Sequence, residues 1–293
     1  MKYLLLSVFA FIIFSSTIKK QPKNTDTTNM VMVKRDTFMM GLDSIQLKNA
    51  MQKYNAPFDT FSQEYPAFKV LVVAFYLDKC EVTNADFKKF IDANPRWSKA
   101  NIPDSLQDGN YLKDWNGTKY PKAKANYPVT YVCWYAANAY ARWKGKRLPM
   151  EVEFELAAKS GSKVISEFPW GNDEPDTSKA NFQQSPTGHP VQVGHYPPNS
   201  LGLYDMAGNV FEFCQDWWHT NAYLKRAQFK KDRLTGSFRQ PDNENAVIKH
   251  VVVRGGGWNS PAIDLRVTHH ESRLITSCNA DVGFRCAASV QTN

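Results

Sequence analysis

Two segments in the C-terminal half of the chain carry the side chains best suited to chemistry. In the first, Asp205 and Glu212 stand on either side of a Gly-Asn-Val turn. Calcium takes about six to eight oxygen ligands, which come from carboxylates and backbone carbonyls together. This pattern therefore favours a calcium site, and the alternative is a turn that carries a surface acid pair.

The second segment reads Arg-Val-Thr-His-His-Glu and is the densest in ionisable groups. Adjacent residues on a strand point to opposite faces, so His269 and His270 would not easily share one metal ion. We expect His270, Glu271 and Arg273 to form a polar cleft wall. Arg266 is a candidate for holding an anionic or peptide ligand, with a structural salt bridge as the alternative.

Length and composition are those of an ordinary globular protein. The 293 residues suit one large domain or two small ones, and 43% of them are hydrophobic. The formal net charge of +8 would attract anionic partners such as nucleic acid. However, the basic residues are spread along the chain apart from residues 225–233, and we interpret that run as a solvated loop. No nucleic-acid partner is expected.

The N-terminus has the composition of an export signal. Lys2 precedes an apolar run at residues 3–14, and small polar residues follow. The run is shorter than the roughly 20 apolar residues that a membrane-spanning helix needs. We predict a signal peptide or an uncleaved N-terminal anchor over residues 1–20, and a linker at 21–29. The protein is therefore expected to be exported, whether periplasmic, secreted or anchored, with membrane contact only through this segment.

The number of cysteines is odd, which leaves at least one thiol without a partner in the same chain. The five are Cys80, Cys133, Cys214, Cys278 and Cys286. None lies in a CxxC or CxxxC spacing, so the sequence offers no thiolate metal site. We expect at least Cys133 and Cys214 to be single buried thiols that behave as small hydrophobic side chains.

The elements that position these residues begin with short strands and helices. β-forming residues predict strands at 30–33 and 68–77. Thr83, with Asp86 three residues later, is typical of a helix N-cap. A second helix, rich in Ala and Tyr, is predicted at 134–143.

Further helices are expected at 45–54 and 151–160, but the chain changes in character after residue 162. Gly, Pro and Asn then become frequent and long helices disappear, and residues 219–246 have the composition of a polar insertion. Short helices followed by irregular loops and short strands predict one α+β domain with little regular secondary structure.

Several sequence blocks occur in an order that is specific to one family. Five of them are Tyr-Leu-Asp-Lys-Cys-Glu-Val-Thr-Asn at 76–84, Gly-Lys-Arg-Leu-Pro at 145–149, Leu-Tyr-Asp-Met-Ala-Gly-Asn-Val-Phe-Glu-Phe at 203–213, Arg-Gly-Gly-Gly-Trp at 254–258 and Gly-Phe-Arg at 283–285. Together they resemble the formylglycine-generating enzyme, or sulfatase-modifying factor, family across residues 30–290. The resemblance implies an α+β, C-type-lectin-like fold with low regular secondary structure, held together by loops and calcium.

In that family, the segment that matches the first acidic block binds calcium. The matching ligands are the side chains of Asp205 and Glu212 and the backbone oxygens of Gly208 and Val210. A second calcium site of the family implies Asn181 and the backbone oxygen of Phe182 as ligands. The loop that follows them here is short and has no acidic residue.

The family's oxidation chemistry uses two cysteines that hold copper(I), a soft metal that prefers thiolate ligands. The matching positions hold Ser260 and Leu265. Leucine can neither bind copper nor take part in redox chemistry, so formylglycine generation is not expected. The sequence supports neither copper nor iron as a cofactor, and Cys278 and Cys286 match other positions.

Hypotheses from different functional classes remain open. The first is a calcium-stabilised, non-catalytic module of the cell envelope, which holds a peptide or partner protein in a cleft lined by Trp258, Arg266 and Arg273. The second is an oxidoreductase of altered chemistry that acts on a secreted peptide or small molecule. Its candidate catalytic residues are Ser260, His269, His270 and Glu271. A third is a formylglycine generator that uses the displaced Cys278 and Cys286.

Overall fold

The computed structural model describes residues 25–162, 165–228 and 249–290. The predicted export segment at 1–20 and most of the linker lie outside the described residues, as do residues 229–246 of the predicted insertion at 219–246. Among the helices that the structure does describe, none combines the length and apolar character needed to cross a membrane.

Nine short strands in the described ranges form three sheets. They are β1 (Met30–Val33), β2 (Asp36–Met40), β3 (Phe68–Val72), β4 (Phe75–Asp78), β5 (Phe211–Trp217), β6 (His250–Arg254), β7 (His270–Leu274), β8 (Val282–Gly283) and β9 (Ala287–Ser289). One antiparallel sheet has the order β1-β4-β9, and β2 pairs with β3 in another. The third has the order β7-β6-β5-β8, in which β5 and β8 are parallel.

Five α-helices and several single 3-10 turns connect the described strands. The helices are α1 (Ser44–Tyr54), α2 (Asn84–Ala93), α3 (Trp134–Trp143), α4 (Glu151–Ala158) and α5 (Ala222–Gln228). The 3-10 turns are Phe58–Thr60, Ser62–Glu64, Pro95–Trp97, Asp104–Leu106 and Ala262–Leu265. Irregular loops make up much of the remainder, which confirms the α+β fold with little regular secondary structure.

Most of the predicted elements in the first half are present, with one correction. The Thr83 side chain accepts a hydrogen bond from the Asp86 N–H and begins α2 as predicted. The single strand predicted at 68–77 is wrong, because the chain forms two strands there. β3 pairs with β2, whereas β4 pairs with β1 and β9, and the exposed Val73 lies between the two strands.

Helix α4 is a core element, and all eight of its residues are buried. Its N-cap residue, Met150, has no side-chain oxygen to accept the free N–H groups of the first turn. Glu153 Oε2 instead accepts from the Met150 N–H at 2.8 Å, and Asp216 Oδ2 accepts from the Glu151 N–H at 2.7 Å. Carboxylates from α4 itself and from β5 therefore satisfy the buried helix end.

Two large apolar clusters fill the domain, one packed on α2 and α3 and the other on α4. Cys214 is buried in the second cluster, as expected for a structural thiol. Cys133 is likewise buried with a free thiol, as expected, and Cys278 lies beside it in the first cluster.

Candidate ligand and metal sites

Buried carboxylates gather where the loop before β5 meets the loop before α2. Asp205, Glu81 and Glu212 are each no more than 6% exposed. Arg285 donates to Glu212 from Nη2 at 2.6 Å and from Nε at 2.7 Å. Glu212, a predicted calcium ligand, is thus the counter-ion of Arg285, and the carboxylate that lies beside Asp205 is Glu81.

Two oxygens of this cluster, Asp205 Oδ1 and Glu81 Oε2, are buried and accept no hydrogen bond from the described residues. Their partner oxygens do accept, from the Gly194 N–H at 2.6 Å and from Asn209 Nδ2 at 2.8 Å respectively. Burial and repulsion from Asp205 raise the pKa of Glu81 well above its ordinary range, and burial raises the pKa of Asp205. Desolvated carboxylate oxygens that lack donors fit a bound cation.

A glycine turn holds this cluster against the neighbouring loop. Gly208 has a φ of 81°, and a Cβ there would lie 2.5 Å from the carbonyl oxygen of Asn181. Glycine alone suits both the left-handed backbone and this close approach. Asn209 donates its N–H to the same oxygen at 2.7 Å. The carbonyls of Gly208 and Val210 remain predicted calcium ligands.

Protein hydrogen bonds organise the second predicted calcium site. Asn181 Oδ1 accepts from Thr187 Oγ1 at 2.8 Å, and the Phe182 carbonyl accepts from the Ser185 N–H at 2.7 Å. The Thr187 hydroxyl and the Ser185 N–H, both in the short loop after Asn181, therefore already bind the two predicted ligand oxygens. The calcium-binding roles of Asn181 and Phe182 stay a prediction.

The positions that match the catalytic cysteines of the family belong to the scaffold. Ser260 is 4% exposed, and its hydroxyl accepts from the Gly257 N–H at 3.0 Å. Leu265 is fully buried and packs with Phe168 and Phe182. As a candidate catalytic residue Ser260 is disfavoured, because its buried hydroxyl is bound to the turn that contains it.

Trp258 lines a cavity of about 200 Å³ with Trp115, Tyr127 and Tyr131, and we call these four residues the aromatic groove. The Trp115 indole is fixed by its Nε1–H, which donates to Asn84 Oδ1 at 3.1 Å. The cavity is smaller than the roughly 300 Å³ at which small-molecule sites begin. It therefore suits one or two side chains of a polypeptide better than a whole metabolite.

Arg266 lies elsewhere and is held by a buried ion pair. Its guanidinium donates to both oxygens of Glu64 at 2.7 Å and stacks 4.8 Å from the ring centre of Phe61. Although burial opposes ionisation, Arg266 and His269 hold the pKa of Glu64 well below its ordinary range. The alternative given for Arg266, a structural salt bridge, describes this geometry better than a ligand-binding role.

The two adjacent histidines point in different directions, as the strand pattern predicts. His270 faces the core, where Nδ1 lies 2.5 Å from Glu151 Oε1 and the ring packs 4.9 Å from Trp218. Glu151 in turn lies 3.4 Å from Arg254. The prediction that His270 forms a cleft wall is therefore wrong, because its ring is buried against Glu151 of α4 and Tyr223 of α5.

His269 faces two carboxylates near the surface. Its Nε2 lies 3.6 Å from Asp264 Oδ1 and 3.5 Å from Glu271 Oε1. Arg273 binds the other oxygen of Glu271 at 2.5 Å, which fixes that carboxylate. Although burial opposes protonation, Glu271 and Glu64 raise the pKa of His269 to about 8.

The single cleft predicted between Trp258 and Arg273 is divided in the structure into the aromatic groove and the His269 site.

The sequence did not indicate three acidic residues that complete the candidate sites. Glu81 belongs to the buried carboxylate cluster, and Glu64 and Asp264 lie beside His269. Glu81 stands in the 76–84 block, which is a signal for its importance. The other two belong to 3-10 turns, where no local periodicity marks them.

The chain is similar to proteins of one family along most of its length. A family model described as the sulfatase-modifying factor enzyme 1-like domain matches residues 15–290. The chain is 36% identical over 231 residues to the serine/threonine-protein kinase pkn1 of Chlamydia pneumoniae, which covers 78% of this chain but only 35% of that protein. The chain thus spans about a third of that relative. It is 28% identical over 310 aligned positions to the formylglycine-generating enzyme of Mus musculus, covering 91% of this chain and 77% of the enzyme.

Among solved structures, PvdO from Pseudomonas aeruginosa has the same fold. It matches with a TM-score of 0.63 at 21% identity, covering 89% of this chain and 94% of PvdO. The family match and the shared fold both agree with the resemblance to the formylglycine-generating enzyme family that the ordered sequence blocks indicated. The chain therefore belongs to the family of sulfatase-modifying factor enzyme 1-like domains.

Proposed function

We propose that this chain is an exported, non-catalytic binding domain that holds a segment of a partner polypeptide in the aromatic groove. The observation that carries the proposal is the burial of Ser260 and Leu265 at the matched cysteine positions, close in sequence to the groove residue Trp258. Without thiolates these positions do not supply ligands for copper(I). Export is proposed from the composition of residues 1–20.

The groove has features that select a polypeptide segment. Rigid aromatic side chains offer large apolar surfaces at a low entropic cost. Lys124 lines the cavity with its Nζ 5.4 Å from the ring centre of Tyr127, and Lys113 Nζ lies 5.8 Å from that of Tyr131. An extended segment with an aromatic or proline residue next to an acidic one matches both the rings and the charges.

The proposal includes a calcium ion in the buried carboxylate cluster. Asp205 and Glu81 each present a desolvated oxygen without a donor among the described residues, which is the kind of ligand that calcium takes. The carbonyls of Gly208 and Val210 are the further ligands that we propose. Because the cluster joins the loop before β5 to the loop before α2, the ion would stabilise the scaffold and take no part in catalysis.

Peptide-display selection against the chain in calcium buffer tests the groove. We expect enriched peptides to carry an aromatic or proline residue and to bind the Trp258→Ala variant at least about tenfold more weakly. Trp143→Ala is the matched control, because Trp143 is 40% exposed at the end of α3 and lies outside the groove lining. Equal binding by both variants, or selection that enriches no sequence, contradicts the proposal.

An oxidoreductase of altered chemistry is the second candidate, and it is favoured by His269 Nε2, which has no hydrogen-bond partner among the described residues. His270 is no longer a candidate for that chemistry because it is buried against Glu151. Any turnover should be abolished by His269→Gln, and activity that survives this substitution would exclude the assignment.

A further inference from the structure

We propose that Asp264, His269 and Glu271 bind one divalent transition-metal ion such as Zn²⁺. Within the described part of the chain, this site shares no residue with the calcium cluster or with the aromatic groove. The inference is independent of the proposed function, because it rests on a different set of residues and on a different ion.

The spacing of the three ligand atoms fits a small metal ion. One atom from each residue lies within 4.8 Å of the other two, and His269 Nε2 is 3.6 Å from Asp264 Oδ1 and 3.5 Å from Glu271 Oε1. Metal–ligand bonds of about 2.0–2.2 Å in a tetrahedral site place the ligand atoms roughly 3.3–3.6 Å apart. The two observed separations match that edge length.

The buried Nε2 of His269 is the atom that points to a ligand. It has no hydrogen-bond partner among the residues that the structure describes, although two carboxylates flank it. The other ring nitrogen, Nδ1, faces Glu64 Oε1 at 3.6 Å, and Arg266 holds Glu64 in place. Metal-binding histidines are commonly oriented by a carboxylate behind the ring, which leaves the opposite nitrogen for the metal.

The charge of the surroundings favours a dication. Around His269 there are four carboxylates and two guanidinium groups. The carboxylates belong to Glu64, Asp264, Glu271 and Asp281, and the guanidinium groups belong to Arg266 and Arg273. A metal ion would bind the imidazole in place of its proton, and the dication would neutralise the two negative charges that then remain. The Glu271 side chain is 34% exposed, so an ion can enter from solvent.

The donor set selects the class of metal. One imidazole and two carboxylates suit Zn²⁺ and other first-row dications, whereas calcium takes a larger number of oxygen ligands. Three protein ligands with a free fourth position are typical of zinc sites that bind water or a ligand. The site would therefore polarise a bound water molecule or hold a carboxylate of a partner.

Calorimetric titration of the tag-free chain with Zn²⁺ tests this site, with millimolar Ca²⁺ present to occupy the separate oxygen cluster. We expect one Zn²⁺ per chain, and binding at least about tenfold weaker in His269→Gln and in Asp264→Asn. The second variant keeps the test decisive if the first misfolds, since Asp264 is partly exposed. His195→Gln, at an exposed histidine, is the matched control and should bind zinc unchanged.

Cobalt substitution provides a readout that does not depend on activity. We expect visible d–d absorption from a four-coordinate Co²⁺ without thiolate charge-transfer bands, and the loss of this absorption in His269→Gln. Zinc binding that survives both substitutions, cobalt spectra with thiolate bands, or no binding at all would overturn the proposal. A failure to bind calcium would instead overturn the calcium part of the proposed function and leave the zinc result intact.

Discussion

Replacing Glu81 with glutamine should change stability in opposite directions with and without calcium. Glu81 Oε2 and Asp205 Oδ1 are buried without donors from the described residues, and each such group costs about 1–3 kcal/mol. The glutamine keeps an oxygen for Asn209 and brings an amide that can donate to Asp205. In a chelator, we therefore expect Glu81→Gln to raise the free energy of unfolding by roughly 1–3 kcal/mol.

Calcium should reverse this order. Free Ca²⁺ at about a thousandfold excess over its Kd stabilises the unaltered chain by about 4 kcal/mol, whereas Glu81→Gln lacks a ligand and loses most of that gain. Urea unfolding followed by tryptophan fluorescence, in EDTA and in calcium, gives all four free energies. Glu174→Gln is the control, because this carboxylate is exposed and paired only with Lys53 among the described residues.

The opposite result is a Glu81→Gln variant that is less stable than the unaltered chain in EDTA, together with an unaltered chain that does not respond to calcium. That combination would mean that Glu81 is a satisfied structural acid and that no cation compensates the cluster. The control should shift by less than about 0.5 kcal/mol in both buffers.

Three further predictions concern buried groups of the scaffold. The neighbouring Cys133 and Cys278 thiols should oxidise to a disulfide that closes a loop of about 145 residues. Reductant should then lower the free energy of unfolding by roughly 5 kcal/mol, whereas the stability of Cys133→Ser should not change with reductant. Burial and repulsion from neighbouring carboxylates raise the pKa of Asp216 to about 7, so the fold opposes its ionisation. Stability should therefore fall by on the order of 4 kcal/mol as pH rises from near 4 through 7, and Asp216→Asn should flatten this slope in urea titrations. Glu64→Gln should cost about 3–5 kcal/mol in urea unfolding because it leaves Arg266 buried without a counter-ion. The double variant with Arg266→Met should recover most of that loss, and an additive loss would contradict the ion-pair interpretation.

Local signals in the sequence predicted the parts of the fold that depend on neighbouring residues. The N-cap at Thr83 and the helix at 134–143 are set by contacts within a few positions, and both are found as expected. The prediction of a single strand at 68–77 was wrong because the pairing of this segment depends on residues far away in the sequence. Its apolar run continues through Val73, but the two halves pair with different sheets, and that choice is made by tertiary partners.

The candidate sites show the same division between local and distant information. The alternation of side chains along a strand predicted that His269 and His270 point to opposite faces. It could not show that a 3-10 turn places Asp264 beside His269. Likewise, Glu64 and Arg266 bind across 202 positions of the chain. Glu212 pairs with Arg285 at a separation of 73. No local pattern links such positions, so these partners emerge only from the packed structure.

Mass spectrometry of a cysteine-containing sulfatase-motif peptide tests most directly whether this family member is non-catalytic. The peptide is incubated with the chain, copper(I), a thiol reductant and oxygen, beside an active formylglycine-generating enzyme as the positive control. Because Ser260 and Leu265 stand at the matched cysteine positions, we predict that the chain leaves the peptide cysteine unmodified while the control converts it. Catalytic conversion to formylglycine by this chain, lost in the Cys278→Ser, Cys286→Ser double variant, would contradict the proposed function.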